Sequence, residues 1–481
     1  MKNSIEFWHD VCMEVVRRDF SKSPAGTPPK AEQDGPTRTS RALAMAHLAM
    51  HDAHFGTTVP ADAYLTKVGI AVPPAATPFS GDSAIAAAAI ACLLSTYPGQ
   101  MDYINEMTIA FVDANPDPVA QANGSQFGAA VAAAIIALRS ADGSQTPSAY
   151  ARSDAYGHHR PDPFAPAQRV LDPHWGGVTH FCATAVVPLD PPPGPMFPDF
   201  LTDVDYRADF VEVKEKGELI SNTRTPEEWV IGHYWGYDGA NDIGVPPRLY
   251  NQIVRAWLGA RHPGDKDKAV KLLAIANAGM ADAAIDAWHH KYVYDLWRPV
   301  VGIREASHST GPSAIGGPKS TETVGADIGD PAWAPLGLPK TNEPDKRAVS
   351  RTPGFPAYPS GHATFGAALF QIMQRFSGAA AMTLQNVLDA RNGGPAIAGQ
   401  TFEFVSDELN GRSVDADGSV RTNHKRAFAN FARPVYENSL SRVYLGVHWR
   451  FDGMPRADVA GKRYGGVPLG LVIGNQTFDF F

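Results

Sequence analysis

Apolar residues recur at three- and four-residue spacing over much of the chain. This spacing predicts helices over 5–20 (Phe7, Val11, Val15), over 39–55 (Leu43, Ala46, His47, Met50 and His51 along one side), over 83–94 and over 123–139. The last two are rich in alanine, whose small side chain allows helices to pack closely. A loop-rich stretch follows over 140–200, closing in Pro188, Pro191, Pro192, Pro193, Pro195 and Pro198. Helical spacing resumes over 208–221, 225–234, 247–258, 267–294, 363–376 and 421–445. No sustained period-two alternation and no internal repeat is visible. The pattern predicts an all-α protein with two bundle-like halves, 1–200 and 201–481, divided at the proline cluster. Residues 305–358 form a long Gly/Pro-rich connection, and loops of that size inside compact domains usually carry function.

The 481 residues are too many for one small core, which agrees with two packing units. A formal net charge of −8 argues against a nucleic-acid partner and against a basic membrane-surface protein, so any cationic pocket must be local. Cys12, Cys92 and Cys182 follow no zinc or redox spacing and predict no disulfide framework. The first twenty residues mix charges with apolar positions and lack the apolar core of a signal peptide. The runs 84–94 and 129–138 are too short to span a bilayer. The default expectation is a soluble, cytoplasmic protein, monomeric or homodimeric.

His47, His51 and His54 share one helix face at i, i+4 and i+7, a spacing that can bind a metal. They also lie among Ala, Leu and Met, so the simpler reading is buried structural histidines. Three other segments carry more. In 355–366, Pro359 holds the entry to an apolar helical run, Ser360 is a good N-cap, Gly361 admits close approach, and His362 stands in the first turn. The free N–H groups and positive dipole of such a helix start suit an anion. In 291–299, Lys291 and Arg298 are seven residues apart, about 700° of helix rotation, so both would project from one face of a helix ended by Pro299. Two cations so placed repel unless an anion lies between them; the simpler alternative gives each its own acid, Asp286 and Asp295. In 441–452, Arg442 has an apolar helical setting, Gly446 breaks or caps the helix, His448 follows in a turn, and Asp452 is spaced to orient its ring. Three cations, a helix N-terminus and two histidines with separable roles fit one multiply charged tetrahedral oxyanion, phosphate or a phosphate-like metal oxyanion.

The three segments, K-x6-R-P (Lys291 to Pro299), P-S-G-H (Pro359 to His362) and S-R-x3-G-x-H (Ser441 to His448), occur in the order of the signature shared by vanadium-dependent haloperoxidases and type 2 phosphatidic-acid-phosphatase-like acid phosphatases. The chain resembles the fungal chloroperoxidase branch of that superfamily, also over 234–241, 246–255, 355–366 and 445–452, and resembles it least over 56–200. The resemblance implies an all-α fold of two four-helix bundles with the oxyanion in the second. It implies vanadate as cofactor, with His448 on vanadium and Lys291, Arg298, Ser360, Gly361 and Arg442 on the vanadate oxygens. It makes His362 the acid–base group, pairs Asp238 with Arg442, and places Trp288 and Phe355 beside the halide.

The activity so implied is oxidation of chloride or bromide by hydrogen peroxide to hypohalous acid or its equivalent, which halogenates a small electron-rich organic acceptor. Lys291 would hydrogen-bond the peroxide and His362 would take its proton. Phosphate could occupy the same pocket. The alternative in the superfamily is an acid phosphatase with a phosphohistidine at His448. An oxyanion-storage protein ranks last, because storage does not need His362.

Overall fold

The computed structural model describes residues 3–21, 31–147, 149–193, 204–306, 329–343, 351–459 and 461–481. Ser4–Asp19 starts where the Asn3 side chain accepts from Glu6 N–H. Gly35–Phe55 begins a turn earlier than the apolar spacing predicts, because Pro36 is already suited to a first-turn position. Gly81–Thr96 and Pro118–Arg139 are capped by Ser80 and Asp117, pack on each other and on Gly35–Phe55, and bury alanines such as Ala84, Ala88 and Ala132.

Lys266–Tyr294, of 29 residues, is buried along most of its length. One side packs on Gly35–Phe55, the other on Gly361–Phe376 and Gly466–Phe480. It is therefore a spine shared by the N-terminal helices and the C-terminal group completed by Ala432–Tyr444. All-α is the correct class: among the described residues the only sheet is one two-stranded hairpin. The proposed boundary at residue 200, and most of the 305–358 connection, lie outside the described residues.

The structure corrects two sequence expectations. Residues 421–445 are not one helix. Asn423–Phe428 pairs antiparallel with Phe402–Asn410, and the helix starts only at Ala432. Phe428 stacks on Phe402 with ring centroids 5.0 Å apart, so a tertiary aromatic contact overrides a weak local pattern. Nor does the long helix run through Arg298. Asp295 adopts φ 49°, and its carboxylate accepts from Tyr150 Oη and His158 Nδ1, which ends the helix at Tyr294. Pro299 starts the next helix, Pro299–Glu305, with Arg298 as its N-cap.

Cys12, Cys92 and Cys182 are free thiols. No single helix among the described residues is long and apolar enough to cross a membrane. His47, His51 and His54 turn to different partners: His9 and the Leu43 carbonyl, Asp52, and Asp267. Among the described residues no cluster of three or more His, Cys, Asp or Glu is placed to hold a metal ion.

Candidate active site

Lys291, Arg298, Ser360, Gly361, His362, Arg442 and His448 converge although they come from three separate segments. Lys291 leaves the last turn of the long helix and Arg298 the turn after it, so the turn at Asp295 brings them together rather than a shared helical face. Neither uses the acid first assigned to it, since Asp286 accepts from His180 and Asp295 from Tyr150 and His158. Lys291 Nζ donates to the carbonyls of Pro356 (2.9 Å), Ala357 (3.0 Å) and Pro359 (2.5 Å). It is fully buried, and burial, followed by repulsion from Arg298, lowers its pKa well below the ordinary lysine value.

Arg298 donates through Nε to Phe355 O (3.0 Å) and through Nη1 to Val447 O (2.8 Å) and His448 Nε2 (2.9 Å). His448 Nδ1–H in turn donates to Asp452 Oδ2 at 2.8 Å. These bonds fix the tautomer: the proton is on Nδ1 and the lone pair on Nε2 points into the site. Burial, reinforced by Arg298, holds the His448 pKa well below its usual value, so Nε2 stays unprotonated and its lone pair accepts from Arg298 Nη1. The path to His448 depends on Gly446. Its φ of +73° favours glycine, and a Cβ there would stand 2.4 Å from Gly217 O.

Ser360 caps Gly361–Phe376, and its N–H is tied to Asp452 O at 2.7 Å. That bond joins the helix start to the His448 segment. The first N–H groups of the helix have no partner within it and carry its positive end. His362 Nε2–H donates to Gly236 O at 2.7 Å, which leaves Nδ1 as the lone-pair nitrogen. Burial, and then Arg442, push its pKa down to about 3. Its own carbonyl accepts from Tyr250 Oη (3.0 Å) and Asn438 Nδ2 (2.7 Å). Arg442 forms a two-pronged pair with Asp238 at 2.8 and 2.7 Å.

Three cations thus face two carboxylates, Asp238 and Asp452, a formal excess of one positive charge in a buried place. Arg298 Nη2 and Arg442 Nε are buried and have no hydrogen-bond partner among the described residues. Orphaned guanidinium N–H groups in such a place are costly unless an acceptor sits between them. A tetrahedral oxyanion would supply those acceptors, and Nε2 of His448 is a nitrogen of the type that can ligate a metal at its centre, so the residues fit vanadate.

The site opens into a cleft of about 410 Å³ that reaches His362, Arg442 and His448 and has Trp288, Phe355 and Phe365 among its apolar walls. The Trp288 and Phe355 ring centroids are 4.7 Å apart, and Lys291 Nζ lies 5.0 Å from the Phe355 centroid. Sequence reasoning missed Gly236, Tyr250 and Asn438, which hold His362. Their contributions come from backbone carbonyls and from distant helices, which no motif marks.

A model described as the vanadium chloroperoxidase N-terminal domain matches residues 1–173, and one for the second helical-bundle domain of the same protein matches 271–472. Vanadium chloroperoxidase of Curvularia inaequalis is 31% identical over 527 aligned positions, covering 95% of this chain and 80% of the relative. The chain belongs to the vanadium chloroperoxidase family. A bacterial vanadium-dependent iodoperoxidase structure superposes with a TM-score of 0.70 at 18% identity, covering 99% of this chain and 96% of that one. The apo form of a bacterial vanadium-dependent chloroperoxidase gives a TM-score of 0.59 at 13% identity, covering 93% and 94%. At these identities the two structures speak for the fold alone. Nothing in these relationships favours a phosphatase.

Proposed function

We propose that the chain is a vanadate-dependent haloperoxidase that uses hydrogen peroxide to oxidise chloride and bromide and thereby halogenates a small electron-rich organic acceptor. The observation that carries this reading is the neutral His448, whose Nε2 lone pair is turned inward to Arg298 Nη1, a hydrogen bond that a metal at Nε2 would replace, beside orphaned N–H groups of two buried arginines. His448 would be the metal ligand, and Lys291, Arg298, Arg442, Ser360 and the Gly361 N–H would hold the anion's oxygens. Bound vanadate supplies a Lewis acid that activates hydrogen peroxide without changing its own oxidation state.

The chain's own residues do the rest. His362 takes a proton from the incoming peroxide at Nδ1 while Gly236 O keeps the proton on Nε2. Asp238 holds Arg442 in place, and Asp452 holds the His448 tautomer. Lys291 can turn from a backbone carbonyl to an arriving oxygen and stabilise its negative charge. In this dry setting each cation acts more strongly than it would in water.

Trp288 and Phe355 form the halide wall. An apolar wall leaves a small anion poorly hydrated and more nucleophilic, which favours chloride as well as bromide. The test compares chloride, bromide and iodide turnover in wild type and in Phe355→His and Trp288→Arg, after phosphate removal and orthovanadate addition. The expected result is chloride turnover in wild type and a selective loss of it in both variants. No chloride turnover at any pH, or variants that lose chloride and bromide activity equally, would contradict the halide assignment. Full activity in vanadium-free buffer would contradict the cofactor assignment.

A further inference from the structure

Behind the residues of the site lies a buried acid that touches none of the reacting groups. Glu408 has no exposed surface. It stands in the irregular part of the Phe402–Asn410 strand, between the paired positions Val405 and Asn410, where strand pairing is interrupted and side chains are re-aimed. Its Oε1 accepts from Tyr237 N–H at 2.9 Å. Its Oε2 accepts from Arg421 Nη1 at 2.8 Å and from the Thr341 hydroxyl. Thr341 Oγ1 also accepts from Arg421 at 2.6 Å, so the three side chains form a closed group.

The same strand grips the neighbouring turn elsewhere. Ser406 Oγ donates to Tyr234 O (2.7 Å), and Asp407 N–H donates to Tyr237 Oη (2.9 Å). The turn needs such restraint: Tyr237 has φ +48°, sparsely populated for a side chain of its size. Glu408 also packs so closely under Gly236 that a Cβ there would stand 2.9 Å from Oε1. The residues on either side of Tyr237 carry the function. Gly236 O fixes the His362 tautomer, and Asp238 holds Arg442.

We infer that Glu408, clamped by Arg421 and Thr341, is a positioning residue that sets the 236–238 turn and through it both the acid–base histidine and the oxyanion-binding arginine. The inference rests on the haloperoxidase reading of the site. Misplacement of reacting groups by about 1 Å from a distant change can lower rates about a hundredfold, which sets the expected scale.

The test uses Glu408→Gln, which keeps the volume and an acceptor for Tyr237 but loses the charge, and the milder Thr341→Val. Folding is checked by thermal unfolding. Orthovanadate affinity is measured by equilibrium dialysis, and peroxide kinetics with bromide follow in the loaded protein. Glu408→Gln is expected to lower kcat/KM for peroxide about a hundredfold, mostly through kcat, with Thr341→Val lower in the same direction. Combined with Asp238→Asn, Glu408→Gln should add much less than its separate effect, because both act through one turn.

Histidine ¹⁵N NMR of the anion-free protein gives a readout independent of vanadate. Wild-type His362 should be the Nε2–H tautomer, and the variants should lose that preference. If Glu408→Gln does not fold, Thr341→Val carries the double-mutant cycle and the NMR comparison. Unchanged kinetics and tautomer in a folded variant, or effects that multiply in full with those of Asp238→Asn, would overturn the inference. A wild type that shows the tautomer but binds no vanadate would instead count against the cofactor reading and leave the positioning role supported.

Discussion

At the residue scale, the two histidines of the site are told apart by what holds their protons. His448 gives its Nδ1 proton to Asp452 and presents Nε2; His362 gives its Nε2 proton to Gly236 O and presents Nδ1. His448→Ala is therefore expected to abolish productive vanadate binding, whereas His362→Ala keeps most of the affinity and loses peroxide turnover. Equal loss of affinity in dialysis would remove this division. Asp452→Asn should weaken vanadate binding about ten- to a hundredfold, the usual effect of losing the partner that orients a ligating imidazole.

The pH sign for His362 also follows. Burial and then Arg442 hold its pKa at about 3 in the anion-free protein, and a nearby oxyanion favours the protonated ring. Its pKa in the complex is then higher than in the free protein. Below the bound pKa, binding takes up a proton at His362, and its share of affinity grows as pH falls through that value and levels off below about 3; above it the ring stays neutral and can accept the peroxide proton. Calorimetry in buffers of different ionisation enthalpy should show more proton uptake by wild type than by His362→Ala; identical uptake would contradict this.

At the scale of elements, Gly446 shows how one backbone position sets the site. An alanine there meets both an unfavourable φ of +73° and the Gly217 carbonyl. Gly446→Ala is expected to cost roughly 1–3 kcal/mol in urea unfolding and to weaken vanadate binding by moving His448. An unchanged unfolding midpoint with unchanged affinity would show that the turn is not needed.

Elements also show what could be read from the sequence. The helices and the three site segments were legible because apolar spacing and glycine, proline and cap residues act locally. The hairpin was not: Asn423–Phe428 is mostly polar, and its pairing is decided by Phe402 and Tyr234. Arg298 lies near Lys291 because of the turn at Asp295 and not because of helical spacing, and nothing local announces that Asp295 adopts a left-handed conformation. Asp452, by contrast, was legible four residues from His448, since that spacing is itself the contact.

At the scale of the whole molecule, the long helix Lys266–Tyr294 ties the site to the N-terminal helices, so acid sensitivity there bears on the entire fold. His47 is buried, its Nδ1–H donates to Leu43 O, and its Nε2 shares a hydrogen bond of 3.0 Å with His9 Nδ1. Burial lowers its pKa from 6.5 to about 4. The stability this contributes is fully present above pH 6.5. It is lost as pH falls toward about 4, because the unfolded chain takes up the proton first. The total is roughly 3 kcal/mol at 1.36 kcal/mol per pKa unit. Urea unfolding across that range should show a shallower pH dependence in His47→Gln; equal slopes would contradict it.

In the function proposed above, one buried oxyanion site, with His448 as its metal ligand, gives the molecule its activity. The most direct test is a titration of phosphate-free protein with orthovanadate in peroxide and bromide, following halogenation of a phenolic dye in wild type and His448→Ala. The expected result is no halogenation before vanadate is added, saturable activation in wild type that phosphate competes away, and none in His448→Ala. Activity without vanadium, or the same activation in both proteins, would contradict it.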